Sequence, residues 1–144
     1  MFPQLQQVLE ANRERRVVVV GTTCTGKSTL VRSIPSAYDM DELVFPLLTK
    51  EENEYVCQHP WTPEIGQTMM RLVREKVRVE PGKPVFGTVV LDSDLVVYLR
   101  ISDELLRNRT QARGADFRDA KRMQEQIEEE IAQSKIPSIV LDVE

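Results

Sequence analysis

At residues 17–28 the chain reads VVVVGTTCTGKS, an apolar run followed directly by a segment bounded by two glycines. The four valines are β-branched and show no polar alternation, which predicts a strand buried on both faces, as in the middle of a parallel sheet. Residues 27–34 place apolar side chains at helical spacing, and Pro35 ends that pattern. The sequence here predicts a strand, a glycine-bounded loop and a helix.

The loop of this unit, Gly21–Ser28, matches the pattern G-x-x-x-x-G-K-[S/T], which is typical of polyphosphate binding. Its glycines let the backbone curl so that successive N–H groups point inward, toward the positive end of the following helix. We expect Lys27 to reach the terminal phosphates and the Ser28 hydroxyl to ligate a bridging Mg²⁺. The predicted nucleotide-binding residues are Gly21, Thr22, Thr23, Cys24, Thr25, Gly26, Lys27, Ser28 and Thr29.

Length and composition predict a single soluble domain over residues 1–144, of which 41% are hydrophobic and 29% charged. The balance of 19 basic and 23 acidic residues gives a net charge of −4, which argues against a dedicated nucleic-acid binder. Cys24 and Cys57 lie far apart and belong to no Cys/His cluster, so neither a zinc site nor a disulfide framework is indicated. We therefore expect a cytoplasmic protein with no membrane partner.

Strand and helix patterns alternate along the rest of the chain. A short strand or strand end is predicted at residues 37–41, and an Asp-Ser-Asp turn at residues 92–94 separates two later strands. This alternation predicts an α/β fold with three α/β/α layers and a mostly parallel sheet. The remaining predicted strands cover residues 85–90, 95–101 and 139–143, and the remaining helices cover residues 4–16, 64–78, about 102–113 and 116–133.

Two large classes of nucleotide-binding protein lack support in the sequence. A regulatory GTPase needs an N-K-x-D tetrapeptide, which does not occur. The segments at residues 89–92 and 139–142 resemble the Walker B strand of motor ATPases, but neither carries the adjacent glutamate. The class that remains is a compact nucleotide-binding domain with several arginines after its fourth strand.

Four segments together resemble one known family: GTTCTGKS at residues 21–28, YDMDE at 38–42, PVFGTVVLDSDLVVYLRIS at 84–102 and LLRNRTQARG at 105–114. In this order they are similar to the nucleoside-monophosphate-kinase-like family of small P-loop kinases, which includes adenylate, cytidylate, shikimate and gluconate kinases. The resemblance covers residues 17–143. It implies a five-stranded P-loop NTPase fold, with its Walker A loop, strand order 2-3-1-4-5 and ATP at the carboxyl ends of the strands.

The resemblance also implies a lid-like segment at about residues 105–122. Arg109 and Arg113 would be catalytic and Arg118 would belong to the lid, because guanidinium groups stabilise the charge that develops on the transferred phosphoryl oxygens. The alternative is a solvated helical face, on which these arginines pair with neighbouring acids. Those acids are Asp103, Glu104, Asp116 and Asp119.

An acidic D-x-D pair, Asp39 and Asp41, lies where shikimate and gluconate kinases carry one. The resemblance implies that Asp39 helps to hold hydrated Mg²⁺ and that Asp41 is the base for the acceptor hydroxyl. Two residues apart on an extended segment, both carboxylates would face the same side. The alternatives are two turn aspartates at a strand end, or a magnesium role for Asp92 or Asp94.

The acceptor pocket is less well marked. Arg71 and Arg74 would border it and could hold an acidic group of the acceptor, with a solvated basic face as the alternative. Trp61 is a candidate for stacking on a base, or an anchor of its own loop.

Family members also close the sheet with a helix after the last strand. Either the helix at residues 4–16 takes that place here, or the adenine pocket is incomplete.

The predicted function is that of an ATP-dependent phosphotransferase, which uses Mg²⁺ and moves the γ-phosphoryl group to a small acceptor such as a nucleoside monophosphate. The alternative is a nucleotide-binding regulatory or interaction module with little turnover. A third candidate is phosphorylation of a nucleic-acid 5′-hydroxyl. The net charge of −4 and the lack of interleaved aromatic and basic residues argue against it.

Overall fold

The computed structural model describes residues 1–60 and 62–144. Its strands are β1 (Val17–Val20), β2 (Tyr38–Asp39), β3 (Val85–Gly87), β4 (Leu95–Arg100) and β5 (Ser138–Asp142). They form one sheet, in which every pairing is parallel and the order is β2-β3-β1-β4-β5. The predicted parallel sheet and its strand order are confirmed.

Seven α-helices and one short 3₁₀ helix accompany these strands within the described ranges; α1 precedes β1 and the others connect strands. The α-helices are α1 (Phe2–Ala11), α2 (Lys27–Ser33), α3 (Met40–Val44), α4 (Lys50–Val56), α5 (Pro63–Lys76), α6 (Asp103–Arg113) and α7 (Phe117–Ser134). The 3₁₀ helix covers Phe45–Leu47. None of the described helices combines the length and the apolar content needed to cross a lipid bilayer.

Strand β1 is the central strand of the sheet, and its valines alternate between two apolar clusters. Val18 and Val20 belong to one cluster, and Val17 and Val19 belong to the other. All four are buried, as the unbroken run of valines predicts. Helices therefore cover both faces of the sheet, which is an α/β architecture compatible with three layers.

Helix α1 covers one of these faces. Leu5 is fully buried in the cluster that contains Leu99, Leu106 and Leu141. The predicted N-terminal helix exists, but it ends at Ala11 and not at residue 16. The Asn12 side chain donates a hydrogen bond to the Val8 carbonyl at 2.7 Å, which completes the last turn and lets the chain leave the helix.

Strand β3 is shorter than predicted, because it ends at Gly87 and not at residue 90. A Cβ atom at Gly87 would lie 2.3 Å from Met40 Sδ and 3.0 Å from Met40 Cβ, so the chain passes against Met40 with no room for a side chain. The next residues bend away, and Thr88 and Val89 line a cavity beyond the end of the strand.

Candidate functional site

A cavity of about 350 Å³ opens where β1, β2 and β3 reach their carboxyl ends. Crevices at this edge of a parallel sheet are the usual ligand sites of open α/β folds. Three segments of the chain supply most of its wall, and helices α5, α6 and α7 add single residues. The lining residues are Thr23, Cys24, Gly26, Lys27, Ser28, Thr29, Asp39, Met40, Asp41, Val73, Gly87, Thr88, Val89, Arg113 and Met123.

The conformation of the Gly21–Ser28 loop is fixed by hydrogen bonds from two of its threonines. The Thr22 hydroxyl donates to the Ala120 carbonyl at 2.6 Å, and the Thr25 hydroxyl donates to the Thr22 carbonyl at 2.9 Å. Both threonines are buried. Gly26 has φ +95°, which an L-residue rarely adopts. The loop thus has a defined shape that depends on glycine and on buried hydroxyl groups.

The Lys27 ammonium group lies inside the curve of this loop. It donates to the carbonyls of Gly21 and Thr22, both at 2.6 Å, and to Thr25 Oγ1 at 3.1 Å. Burial lowers the pKa of Lys27 from 10.5 to about 8, although the nearby carboxylates of Asp39 and Asp41 act in the opposite direction. The cation is therefore poorly solvated and placed to meet an anion.

This shift makes the stability of the fold depend on pH in a defined direction. Below about pH 8, Lys27 is protonated in both the folded and the unfolded chain, and the folded chain bears the full cost of the buried charge. Between about pH 8 and 10.5 the folded chain releases the proton first, so the free energy of unfolding rises with pH. We expect the unfolding free energy of the wild type, relative to Lys27→Met, to increase across this interval in denaturant titrations. A difference that stays constant with pH would contradict the burial of the charged amine.

Asp39 and Asp41 both line the cavity, but their backbone geometry differs from the prediction. The extended segment ends at Asp39, and Asp41 lies in the first turn of α3. Asp39 caps this helix, because its side chain accepts a hydrogen bond from the Asp41 N–H at 2.8 Å. Partial burial and the Asp39 charge raise the pKa of Asp41. Helix capping, and not strand alternation, brings the two carboxylates to one side.

The three arginines of the predicted lid-like segment have different surroundings. Arg113, at the end of α6, lines the cavity. Arg109 donates to the carbonyls of Cys24 and Glu144, each at 3.0 Å, so it contacts the loop from outside. Arg118 lies in the first turn of α7, is exposed and does not line the cavity. The segment is a pair of helices joined at Gly114, whose φ of +67° ends α6.

The arginines predicted to bind the acceptor do not line the cavity. Arg71 pairs with Glu75 one turn along α5, and Arg74 pairs with Glu130 of α7. Helix α5 buries Ile65, Leu72 and Val73 instead, and Val73 is its contribution to the cavity wall. Arg71 and Arg74 therefore lie outside this cavity, because helical periodicity turns both outward, and their contact with an acceptor stays a prediction.

Asp92 and Asp94 lie at the opposite end of the sheet. Both pair with Arg16 at 3.2 Å, where the chain enters β1. Asp94 also accepts a hydrogen bond from the Arg16 main-chain N–H, and these contacts hold the pKa of Asp94 below its usual range. Neither aspartate therefore shares the cavity, because both precede β4 while the cavity follows β1, β2 and β3.

The oxygen donors suited to Mg²⁺ at this cavity are Ser28 and Asp39, with Asp41 beside them. Hydroxyl and carboxylate oxygens are the ligands that Mg²⁺ prefers, and it usually binds through one or two of them together with substrate phosphates. Among the described residues, no group of three or more His, Cys, Asp or Glu side chains could hold a metal ion alone. The donor set fits a magnesium ion that arrives with a polyphosphate.

Several cavity residues were not predicted from the sequence. Met40, Val73, Val89 and Met123 form an apolar part of the wall, and Thr88 adds a hydroxyl. Apolar residues at helical or strand spacing look the same whether they face the core or a cavity, so periodicity carries no signal for them. The suggestion that Trp61 stacks on a base lies outside the described residues.

A second cavity of about 650 Å³ lies on the other side of the loop. It shares Gly26, Thr29 and Arg113 with the first cavity. The rest of its wall comes from Met1 and α1, from Thr25 of the loop, from α2 and α6, and from the segment after β5. These residues are Met1, Phe2, Pro3, Thr25, Leu30, Arg109, Ala112, Val143 and Glu144.

Comparison with known proteins adds no family assignment. No protein-family model matches this chain, and no curated protein matches its sequence. Function is therefore inferred from the residues and geometry of the two cavities.

Proposed function

We propose that this chain binds a nucleoside triphosphate, ATP in the first instance, at the Gly21–Ser28 loop and transfers its γ-phosphoryl group to a small hydroxyl-bearing acceptor. One observation carries the proposal. Lys27, Arg113 and the carboxylates of Asp39 and Asp41 line a single cavity at the glycine-bounded loop. Cations, carboxylates and a phosphate-binding loop within one cavity are the parts that phosphoryl transfer requires.

The phosphate side of this cavity is the loop itself. The Lys27 ammonium now bonds to two loop carbonyls and one hydroxyl, and in the complex it would exchange some of these bonds for charge-assisted bonds to phosphate oxygens. Ser28 and Asp39 would hold the magnesium ion, which when bound neutralises charge on the triphosphate. Arg113 supplies a further positive charge at the opening.

Asp41 is the candidate general base. Its raised pKa makes it a stronger base than an ordinary aspartate, and it lines the same cavity as Lys27. In the proposed step Asp41 accepts the proton of the acceptor hydroxyl. The acceptor oxygen forms a bond to the γ-phosphorus, and the bond to the bridging oxygen breaks to release the nucleoside diphosphate.

The charged side chains near Asp41 limit the chemical classes of acceptor that suit this cavity. Arg71 and Arg74 are engaged with glutamates outside the cavity, whereas Asp39 and Asp41 face into it. Met40, Val73 and Val89 supply an apolar wall. An acceptor that is neutral or positively charged, such as a sugar, a nucleoside or an amino alcohol, fits this lining better than a nucleoside monophosphate does.

The proposal is tested by measuring acceptor-dependent release of ADP from Mg-ATP across these acceptor classes. We expect at least one neutral or cationic acceptor to stimulate release, and Asp41→Asn to lower the stimulated rate by about 10²-fold or more while ATP affinity stays within a few fold. Asp92→Asn is the matched control, because Asp92 pairs with Arg16 at the other end of the sheet. Equal rates for both variants would remove Asp41 from the mechanism.

A regulatory nucleotide-binding module is the second candidate, and one observation favours it. Of the three arginines in the lid-like segment, Arg113 lines the cavity, whereas Arg109 is bonded to main-chain carbonyls and Arg118 does not line it. Fewer positioned cations would mean slower transfer. A rise in melting temperature with Mg-ATP, combined with no stimulation by any acceptor, would favour this candidate over the kinase.

A further inference from the structure

The outer edge of β5 is the longer open edge of the sheet. Strand β5 pairs with β4 on one side, and within the described ranges no strand pairs with its other side. At the opposite edge β2 has two residues, whereas β5 has five. An open edge presents N–H and C=O groups that a further strand can bond, and natural proteins usually protect it with charges, prolines or covering segments.

The bonds between β4 and β5 show which main-chain groups of β5 point away from β4. The Pro137 carbonyl accepts from the Val96 N–H at 2.9 Å, and the Val143 N–H donates to the Arg100 carbonyl at 2.8 Å. In a parallel ladder alternate residues direct both of their groups to the same neighbour, so the odd-numbered residues from 137 to 143 face β4. Pro137 belongs to this inward set and therefore removes no donor from the outer edge. The residues that direct N–H and C=O outward are Ser138, Val140 and Asp142.

The side chains of these three residues are exposed as well. Val140, at the centre of the strand, is 46% exposed, and Ser138 and Asp142 are exposed on either side of it. Asp142 accepts a hydrogen bond from Arg100 Nε through Oδ1 at 2.7 Å, and its Oδ2 accepts none from the described residues. The edge thus has an apolar centre, a hydroxyl group at one end and a carboxylate oxygen at the other.

This edge is complementary to itself in one antiparallel register. When Val140 lies opposite Val140 of a second copy, the two residues exchange main-chain hydrogen bonds, and Ser138 of each copy lies opposite Asp142 of the other. The valine side chains then cover one another, and each Ser138 hydroxyl donates to the opposite carboxylate. On the other face of the strand Ile139 lies opposite Leu141, so apolar residues meet there too. No like charges of β5 lie directly opposite each other in this register.

We propose that two copies of this chain associate through β5, in an antiparallel pair centred on Val140 that joins their two sheets into one. The occupant of the edge is a second copy because this register pairs all three outward residues in both chains. The inference goes beyond the proposed function and is independent of it, since none of these residues lines either cavity. Five-residue strands bury less area than a permanent interface does, so we expect a weak dimer with a dissociation constant of about 0.1–1 mM.

Sedimentation equilibrium of the full chain without nucleotide, at concentrations up to about 1 mM, measures this association. We expect Val140→Lys to raise the dissociation constant at least about tenfold, because two ammonium groups would lie directly opposite each other. Val140→Pro should have a similar effect, since it removes an outward N–H that makes no bond to β4. Leu47→Lys is the matched control and should leave the constant unchanged, because Leu47 is 51% exposed in the 3₁₀ helix outside the sheet.

Amide hydrogen exchange, followed by NMR in the same samples, locates the interface. The amides of Ser138, Val140 and Asp142 should exchange more slowly as the concentration rises. Those of Ile139 and Leu141 face β4 and should not change. This comparison uses the wild-type chain, so it tests the proposal even if a variant at residue 140 fails to fold.

Three results would overturn the proposal. A monomer at every concentration would exclude pairing of two copies, and this is also the result expected if the edge binds a strand of a different protein. A dimer whose outward amides exchange at the monomer's rate would have its interface elsewhere. An unchanged dissociation constant in Val140→Lys would show that Val140 lies outside the contact.

Discussion

Replacing Lys27 by methionine is expected to lower acceptor-dependent phosphoryl transfer by at least about 10²-fold. Methionine keeps an unbranched apolar stem but removes the ammonium group, which is the cation most deeply enclosed by the loop. The loss should be larger in kcat than in nucleotide affinity, because the charge on the phosphoryl oxygens develops during transfer. Rates of ADP release at saturating acceptor, for the wild type and the variant, provide the measurement.

Lys83→Met serves as the control for that experiment. Lys83 pairs with Glu80 at the surface, its side chain is 54% exposed, and it lines neither cavity at the loop. We expect this variant to retain wild-type rates, since an exposed ion pair contributes little. Wild-type rates in Lys27→Met would show that the Lys27 ammonium group takes no part in phosphoryl transfer, and the proposed function would be withdrawn.

The largest effect on stability is expected for Phe86→Ala, at about 3–5 kcal/mol in the free energy of unfolding. Phe86 is fully buried on β3, in the apolar cluster that contains Val19 and Leu99. Its removal would leave a cavity between the sheet and the helices on that face. Denaturant unfolding should show a lower midpoint with an unchanged slope.

Phe45→Ala is the matched control for this variant, because the same side chain is lost from a site that is 39% exposed. We expect it to change the unfolding free energy by less than about 1 kcal/mol. Phe86 is also the register partner of both Val19 and Asp39. If the two variants lost equal stability, the placement of β3 within the core would be wrong.

The sheet was predictable from the sequence because its central strand carries an unambiguous signal. No polar residue interrupts the four adjacent valines, and a glycine follows them, so the run indicates a buried strand and the position of its end. The helix at α2 was predicted to within one residue, since Pro35 closes the pattern. The short strand β2 and the early end of β3 were harder to predict, because a strand of two or three residues is too short to show a hydrophobic period.

Helix α4 shows where a signal was present but missed. Residues 50–55 are mostly polar and carry no apolar period, yet Thr49 and Glu52 form a capping box that begins a helix there. The same kind of local bond explains Asp41, which was expected on a strand and lies in a helix capped by Asp39. Capping residues are therefore informative in segments that lack apolar periodicity.

The candidate site was predictable where a motif fixes the backbone conformation. It was less predictable where the position of a side chain depends on its ion-pair partner. Both aspartates and most of the predicted loop residues line the cavity, whereas Gly21, Thr22 and Thr25 do not. Arg71 and Arg74 do not, because each has a glutamate within reach on a neighbouring turn or helix. A sequence gives the charge of such a residue but not its distance from every opposite charge in the fold.

The hydroxyl of Thr22, which bonds to the Ala120 carbonyl, has a consequence for binding energy. This bond, together with those of Thr25 and Lys27, orders the loop before any ligand arrives. The entropy of ordering the loop is thus lost during folding and does not oppose association. If the loop binds phosphate as proposed, its affinity is coupled to the first turn of α7, so a substitution there that contacts no ligand would weaken binding by releasing the loop into many conformations.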